Sequence, residues 1–444
     1  MTTRHPSVLV PVDVPLQEVG RFPGGKTGIS LALLLPALIA YLPFLPIPLI
    51  SDDYTQIYLA RQYGPTDAWG NLLQDALYRC RATSLLVSYW VDRWLGVSIL
   101  AFNLVNLFFH LLNTWLVYRL GRHPLIGYRV SFWAALFFGI YEGHQEAVVW
   151  HAALPELLVF LFGLLALDCW IRWLESGGRA YSLASLLLFV LALFSKESAV
   201  AFVPLFFGAW WISPNRQRNG LYSLAGYSVL SAVYAASIFS ASKQHLHLND
   251  GTFNWQSTFW LTLPNSVGRM LWFWGALALI ALVVMRPNAW RRLLGISLFW
   301  MVVTLVPYSF LAYMNRVPSR HTYLASAGLA LLVGAAMLVA SERLRQFRNW
   351  HMALLAVLLL HNCGYLWIKK LPQYQRRAEP TERFLNFAAN SEQPIAVQCV
   401  PYALDVYIQA AQLVLNRPST FVVDASRGYD PSSGAVPYCD PSKP

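Results

Sequence analysis

The sequence predicts an all-α protein that crosses a membrane many times and carries a small α/β appendage at its carboxyl end. Three observations predict it. The 444 residues are 56% hydrophobic and 15% aromatic but only 12% charged, against about a quarter charged in soluble domains. Apolar runs close to the length that spans a bilayer recur from end to end. The basic residues between those runs fall on alternate loops, as the positive-inside rule requires.

Residues 1–27 carry Arg4, Arg21 and Lys26 among several prolines, with no apolar core ahead of a small-residue cleavage site. They are expected to form a cytoplasmic segment and not a removable leader. A transmembrane domain is expected over 28–369. Its apolar runs are 28–50, 98–120, 129–141, 152–173, 182–194, 199–212, 221–241, 263–285, 293–312, 322–340 and 351–368, which make about eleven transmembrane helices. With the amino terminus inside, the inner loops collect Arg119, Arg122 and Arg129, then Arg172 and Arg179, then Arg216 and Arg218, then Arg286, Arg291 and Arg292, then Arg343, Arg345 and Arg348. The runs 182–194 and 199–212 are each shorter than the ~20 residues that usually span, and one helix across both would be too long. Parity decides between them: basic residues flank the pair on both sides, so an even number of crossings intervenes and Ser195, Lys196 and Glu197 face outward.

The outer segment 51–97 is too long and too rich in aromatic and charged residues, Trp69 among them, to be a turn. Leu85 to Trp94 reads as an amphipathic stretch lying along the interface. Residues 370–444 form the expected outer-face domain, with a helix near 381–389, a strand near 395–400, a helix near 404–415 and a strand near 420–423 before a Pro/Gly/Ser-rich end. Cys169 and Cys363 fall within spans, whereas Cys80, Cys399 and Cys439 face a compartment that permits disulfides. Cys399 and Cys439 share the tail, which favours a bond between them, although spacing does not set connectivity.

The polar chemistry gathers on that outer face. Asp52 and Asp53 follow directly on the first apolar run, and a charge pair at a membrane edge is a functional candidate; the alternative is a solvated helix end. One carboxylate can accept a proton from an attacking hydroxyl while the other holds that hydroxyl or a divalent metal. A base mechanism needs no metal. Glu142, His144 and Glu146, with His151 and Glu156 close behind, crowd one short outer loop. Zinc ligation lacks its helical His-Glu-x-x-His pattern there, and contact with a sugar or acceptor suits these residues better. His245 and His247 read as surface histidines. Lys196 is either a lysine snorkelling at the interface or the contact for an anionic lipid head group, with Glu197 beside it. Arg316, Arg320 and His321 form a second outer basic cluster, and guanidinium groups suit bidentate phosphate contact.

Five stretches bear a resemblance to a known family: Ser51-Asp-Asp-Tyr54, FNLVNLFFHLLN from Phe102 to Asn113, HQEAVVW from His144 to Trp150, LFSKES from Leu193 to Ser198, and RHTYLASAG from Arg320 to Gly328. In this order the chain resembles the GT-C superfamily of polytopic glycosyltransferases, nearest to the membrane region of tetratricopeptide-bearing O-mannosyltransferase-like proteins and their bacterial relatives. The resemblance covers residues 51 to about 328. It implies that Asp52 is the catalytic carboxylate, that Asp53 is its companion, and that Lys196 and Arg320 contact a lipid phosphate. It places Arg81 where relatives show Arg-Pro, but Ala82 stands here in place of the proline. No tetratricopeptide array is present in the sequence, which loosens the implication of a protein acceptor. The expected partners are a polyprenyl-phosphate sugar donor, membrane lipids and an acceptor protein, lipid or glycan, with no nucleic acid. The expected reaction is inverting transfer of the sugar to a hydroxyl at the outer face of a bacterial inner membrane, or in an endoplasmic-reticulum lumen. A transporter, a lipid flippase or an inactive scaffold of the same fold are the competing readings.

Overall fold

The computed structural model describes residues 25–65, 75–213, 218–241, 248, 251–287, 290–312, 315–343, 349–425 and 434–441. Of the residues singled out above, Arg4, Arg21, Trp69, Arg216, His245, His247, Arg345 and Arg348 lie outside these. Among the described residues, eight helices are long and apolar enough to cross a membrane: 27–44, 99–122, 151–176, 220–240, 259–285, 290–310, 326–343 and the apolar start of 352–389. Three shorter apolar helices, Tyr128–Ile140, Arg179–Leu193 and Glu197–Ile212, coincide with the remaining apolar runs.

The first helix, α1 (Gly25–Tyr41), passes through a tight turn at Leu42–Phe44 into an extended segment. Pro43, Pro46 and Pro48 account for the break, since proline supplies no N–H to a helix ladder. Ser51 then takes φ 46°, a conformation costly for a residue with a Cβ, and α2 (Asp52–Tyr63) begins. Both aspartates occupy its first turn, where the helix dipole favours negative charge. The long outer segment thus folds as two helices, α2 and α3 (Ala76–Leu95). They are joined by a two-point ion pair from Arg61 to Asp92 at 2.5 and 2.8 Å and by Gln56 donating to Ser84 and Ser88. The amphipathic stretch lies inside α3, with Leu85, Ser88 and Val91 buried and Trp90 and Trp94 exposed.

The bundle centres on α4 (Ile99–Arg119), α5 (Tyr128–Ile140), a short turn α6 (Gln145–Val149), α7 (Leu154–Ser176) and, later in the chain, α8 (Ser326–Arg343). Every residue of α8 from Ser326 to Leu338 is buried. Its glycines explain the close fit: a Cβ on Gly334 would stand 2.6 Å from the Val130 carbonyl oxygen, and one on Gly328 would stand 2.5 Å from that of Ser297. Small residues let helix backbones touch where no hydrophobic effect drives helices together in lipid.

The last span does not stop near residue 370. α9 (Trp350–Gly364) runs through a π-helical turn at Tyr365–Lys370 into α10 (Leu371–Ala389), longer than the helix expected at 381–389. Pro372 and Pro380 lie within this continuous helix; each removes one N–H from the ladder, and the π-helical turn stands just ahead of Pro372. A three-stranded parallel sheet follows, ordered β2 (Val422–Asp424), β1 (Ile395–Gln398), β3 (Val436–Cys439), with α11 (Leu404–Leu415) between β1 and β2. β3 lies in the stretch read from sequence as an irregular end. It has four residues and includes Pro437, so it carries little strand signal, and as an edge strand it tolerates the proline. The Cys399–Cys439 disulfide joins the ends of β1 and β3, Cα to Cα 5.2 Å.

This small unit rests on the helix that carries the aspartates. Val406, Ala410 and Leu413 of α11 form one apolar cluster with Tyr54, Ile57, Val91, Ala101 and Phe102, and Thr55 donates to Gln409 at 2.6 Å. α7 starts at the same end and is 23 residues long, about 34 Å at 1.5 Å per residue. Ser176 and the small unit therefore lie at opposite ends of the bundle. Cysteines placed at Ser176 and Glu392 should react with an impermeant maleimide from opposite sides of the membrane, Ser176→Cys from the inside. Labelling of both from one side would overturn the arrangement.

Candidate active site

Asp53 is 2% exposed and both its oxygens are engaged by the main chain. Oδ2 accepts the Ile50 N–H at 2.8 Å and Oδ1 accepts the Ala152 N–H at 2.7 Å. It therefore clamps the start of α2 to the turn that leads into α7. Burial pushes its carboxyl up to about 7, against the two N–H groups that favour the charged form, with Asp52 adding to the rise. Asp52 points the other way, exposed, and among the described residues only the Ser51 hydroxyl donates to it, at 3.1 Å. The pair is thus divided into one structural carboxylate and one free carboxylate. That division does not fit a metal held between them, and among the described residues no three acidic, histidine or cysteine side chains converge on one point.

A second set of contacts lies beside the clamp. Glu146 accepts from Arg320 Nη1 at 2.7 Å, from the Ser319 hydroxyl at 2.7 Å and from the Arg320 N–H at 3.1 Å. Burial raises the Glu146 carboxyl, but Arg320 and Ser319 outweigh it and hold the group below its ordinary value. Gln145 donates to Ser319 and accepts from Tyr374. Trp150 donates to the Ile50 carbonyl at 3.3 Å, so the same backbone that binds Asp53 also fixes the indole.

The third set surrounds Glu156, which is 1% exposed. Its carboxylate accepts from Lys196 Nζ, from Tyr308 Oη at 2.5 Å and from His321 Nδ1 at 2.6 Å. Tyr308 also bonds Ser198 at 2.8 Å and stacks on the His321 ring at 4.6 Å. Burial lowers the basicity of both Lys196 and His321, although Glu156 opposes it in each. Lys196, Arg81, Glu197, Ser198 and His321 line the polar part of a cavity of about 420 Å³, whose other walls are apolar and include Ile238, Phe253, Trp255 and Phe310.

The expected site residues are thus sorted into two neighbourhoods that share one turn. Arg81, Lys196, Glu197 and His321 line the cavity. Asp52, Asp53, Glu146 and Arg320 lie on the carboxylate side. Arg320 and His321 are adjacent in the turn Ser319–Thr322 and face one neighbourhood each. Arg316 is exposed outside both sets. One expectation needs correction. His144, read as an acceptor contact, is fully buried, with Nε2 bonded to the Ser326 hydroxyl at 2.6 Å and its ring against Phe138 and Tyr323; it is a packing residue because the turn α6 folds it inward. Glu142, read the same way, donates its N–H to Asn362; its Oε2 is buried with no hydrogen-bond partner among the described residues, and burial lifts its carboxyl to about 7. Tyr308 and Arg377 carry no expectation from the sequence, and Glu156, grouped there with the sugar or acceptor contacts, instead anchors Lys196 and His321. Only Glu156, at the start of an apolar run, carried a signal: an acid where an acid is costly.

No protein-family model matches the chain. A protein O-mannosyl-transferase of Caenorhabditis elegans is 25% identical over 209 residues, which cover 44% of this chain and 29% of that protein. The archaeal oligosaccharyltransferase AglB from Archaeoglobus fulgidus, solved with an inhibitory peptide and a dolichol-phosphate, superposes with a TM-score of 0.52 at 12% identity over 92% of this chain and 65% of its own. ArnT from Cupriavidus metallidurans, solved with undecaprenyl phosphate, superposes with a TM-score of 0.50 at 14% identity over 91% of both chains. The chain therefore shares the overall fold of AglB and ArnT. It spans less than two thirds of the length of the mannosyl-transferase and of AglB.

Two outcomes test this geometry. Asp53 holds its proton more tightly folded than unfolded, about 7 against 3.8, so its contribution to stability is complete below the lower value and is lost as pH rises through the higher one. Asp53→Asn should remove its share of that slope in detergent melting curves between about pH 4 and 7, leaving the share of Glu142, whose carboxyl is raised into the same range. It should also lower stability throughout, because its NH₂ faces a main-chain N–H; an unchanged slope would show that Asp53 is not a titrating group. Glu156→Ala, which strips the buried Lys196 of this carboxylate, should cost about 3–5 kcal/mol, read as a lowered midpoint in the same assay.

Proposed function

We propose that the chain is a membrane glycosyltransferase that moves a sugar from a polyprenyl-phosphate donor to a hydroxyl of a protein, lipid or glycan at the outer face of a membrane, in the bacterial case the inner membrane. The observation that carries this reading is an apolar cavity whose polar end holds Arg81 and Lys196, in a chain that also exposes a carboxylate, Asp52, at the start of α2. A long isoprenoid needs apolar walls, and its phosphate needs cations that are not dispersed in water. The fold shared with AglB and ArnT, and the sequence likeness to a protein O-mannosyl-transferase, point the same way.

In this mechanism the acceptor hydroxyl attacks the anomeric carbon while Asp52 takes its proton. The bond from that carbon to the phosphate oxygen breaks, and the electron pair leaves with the phosphate. Lys196 and Arg81 stabilise the charge that develops on the leaving group. Asp53 acts through position: its two N–H contacts fix the first turn of α2, and thereby the direction of Asp52. A single displacement inverts the anomeric centre. Glu146 and Glu197 hold Arg320 and the polar rim in place, and residues 370–444 form an outer-face domain that covers α2.

Asp52→Asn keeps size and removes the proton acceptor, so it should reduce transfer about 10²–10⁴-fold. Undecaprenyl phosphate binding should survive, because Lys196 and Arg81 are untouched. Mass spectrometry of glycans and lipids should find the same missing product in cells carrying Asp52→Asn as in cells lacking the gene. Full restoration of that product by the variant would rule out Asp52 as the base.

A further inference from the structure

Two guanidinium groups lie against one indole. Cζ of Arg320 is 4.9 Å from the Trp150 ring centroid and Cζ of Arg377 is 5.2 Å from it; Arg377 is also 5.4 Å from the Tyr374 ring. The two like charges are therefore within about 10 Å of each other, a repulsion that an aromatic face offsets only in part. Arg320 has its counter-charge in Glu146. Arg377 has no carboxylate at ion-pairing distance among the described residues, whereas Arg383, two turns along the same helix, takes both Glu379 and Asp440. Asp53 feels the Arg377 charge only weakly, and its oxygens are already taken by the Ile50 and Ala152 N–H groups.

Arg377 is also held in place from two sides. Its carbonyl accepts the Tyr402 hydroxyl at 2.5 Å, which ties this point of α10 to the small carboxyl-terminal unit. One turn earlier in the helix, Tyr374 bonds Gln145 beside the Glu146–Arg320 pair. A half-buried guanidinium fixed on an aromatic platform, with no carboxylate at ion-pairing distance among the described residues, is arranged for an anion that arrives from outside.

We propose that Arg377 and Arg320 form an oxyanion site at the Trp150 ring, on the carboxylate side and distinct from the Lys196 cavity, which takes the phosphate group of a substrate. Planar forks bind phosphate through paired N–H groups. The phosphate has two sources, the lipid donor or a phosphorylated polar acceptor. The site deepens the transferase reading and rests on it for the identity of its substrates.

The test uses the full-length protein purified in detergent, with undecaprenyl phosphate and glycerol phosphate as separate probes. Arg377→Gln should weaken one probe at least tenfold, Arg377→Lys should fall between it and the parent, and Arg376→Gln, at an exposed neighbouring position, should bind as the parent does. A loss confined to undecaprenyl phosphate assigns the site to the donor; a loss confined to glycerol phosphate assigns it to the acceptor. Monodisperse elution and the partial rescue by lysine separate lost binding from lost folding. Parent-like binding of both probes by Arg377→Gln overturns the site, as does an equal loss in Arg376→Gln. In the first of those cases, parent binding of undecaprenyl phosphate leaves the transferase reading intact. A parent protein that holds glycerol phosphate through Arg377 but does not bind undecaprenyl phosphate would sustain the site and defeat that reading.

Discussion

A carboxylate denied water must find its partners inside the protein, and the structure is organised around two that do so. Glu156 gathers Lys196, Tyr308 and His321 from three distant parts of the chain. Asp53 fastens the start of α2 to the turn before α7 through two main-chain N–H groups. Removing one partner from such a contact leaves a buried group unsatisfied, which costs far more than the net worth of the bond. These contacts therefore act as constraints on chain path more than as sources of stability. Both meet at the head of α7, since Ala152 serves Asp53 and Glu156 lies four residues on.

This arrangement explains why an acidic pair in sequence is not a pair in function. Two neighbouring residues at a helix start project in different directions, so one can be buried while the other stays in water. Asp53 is enclosed and spent on the backbone; Asp52 is left free. The strained φ of Ser51 belongs to the same design, because the chain must turn sharply out of the extended 47–50 segment for Asp53 to reach back to Ile50.

Much of the fold was legible in the sequence because bilayer spans are written in composition. Every apolar run corresponds to a helix, the helix at Leu404–Leu415 matches its expected bounds, and Cys399 does bond Cys439. What was not legible depends on contacts between distant residues. Four-residue β3 exists because β1 offers it an edge, not because its own residues demand a strand. His144 looked like site chemistry because polarity was taken as exposure; the fold instead gives it a hydroxyl partner and an aromatic cage. Lys196 and Arg320 were recognisable as unusual cations, but their carboxylate partners, 40 and 174 residues away, leave no local pattern. Arg377 was hidden for a different reason: it lies past the last apolar run, where the sequence signal passes from membrane to appendage, while the helix that carries it continues unbroken.

That continuity bears on how the two sides of the site communicate. The turn Ser319–Thr322 gives Arg320 to the carboxylate side and His321 to the cavity. A ligand that pulls on one of these neighbouring side chains must move the backbone of the other. α10 meets the same region through Tyr374 and Arg377 and is itself held by Tyr402 of the appendage, while α11 presses on α2. The carboxylate side is thus enclosed by elements from both ends of the chain, whereas the cavity is lined by the middle of it. In the proposed reaction the lipid-linked donor and the acceptor would be coupled through the one turn, Ser319–Thr322, that serves both sides.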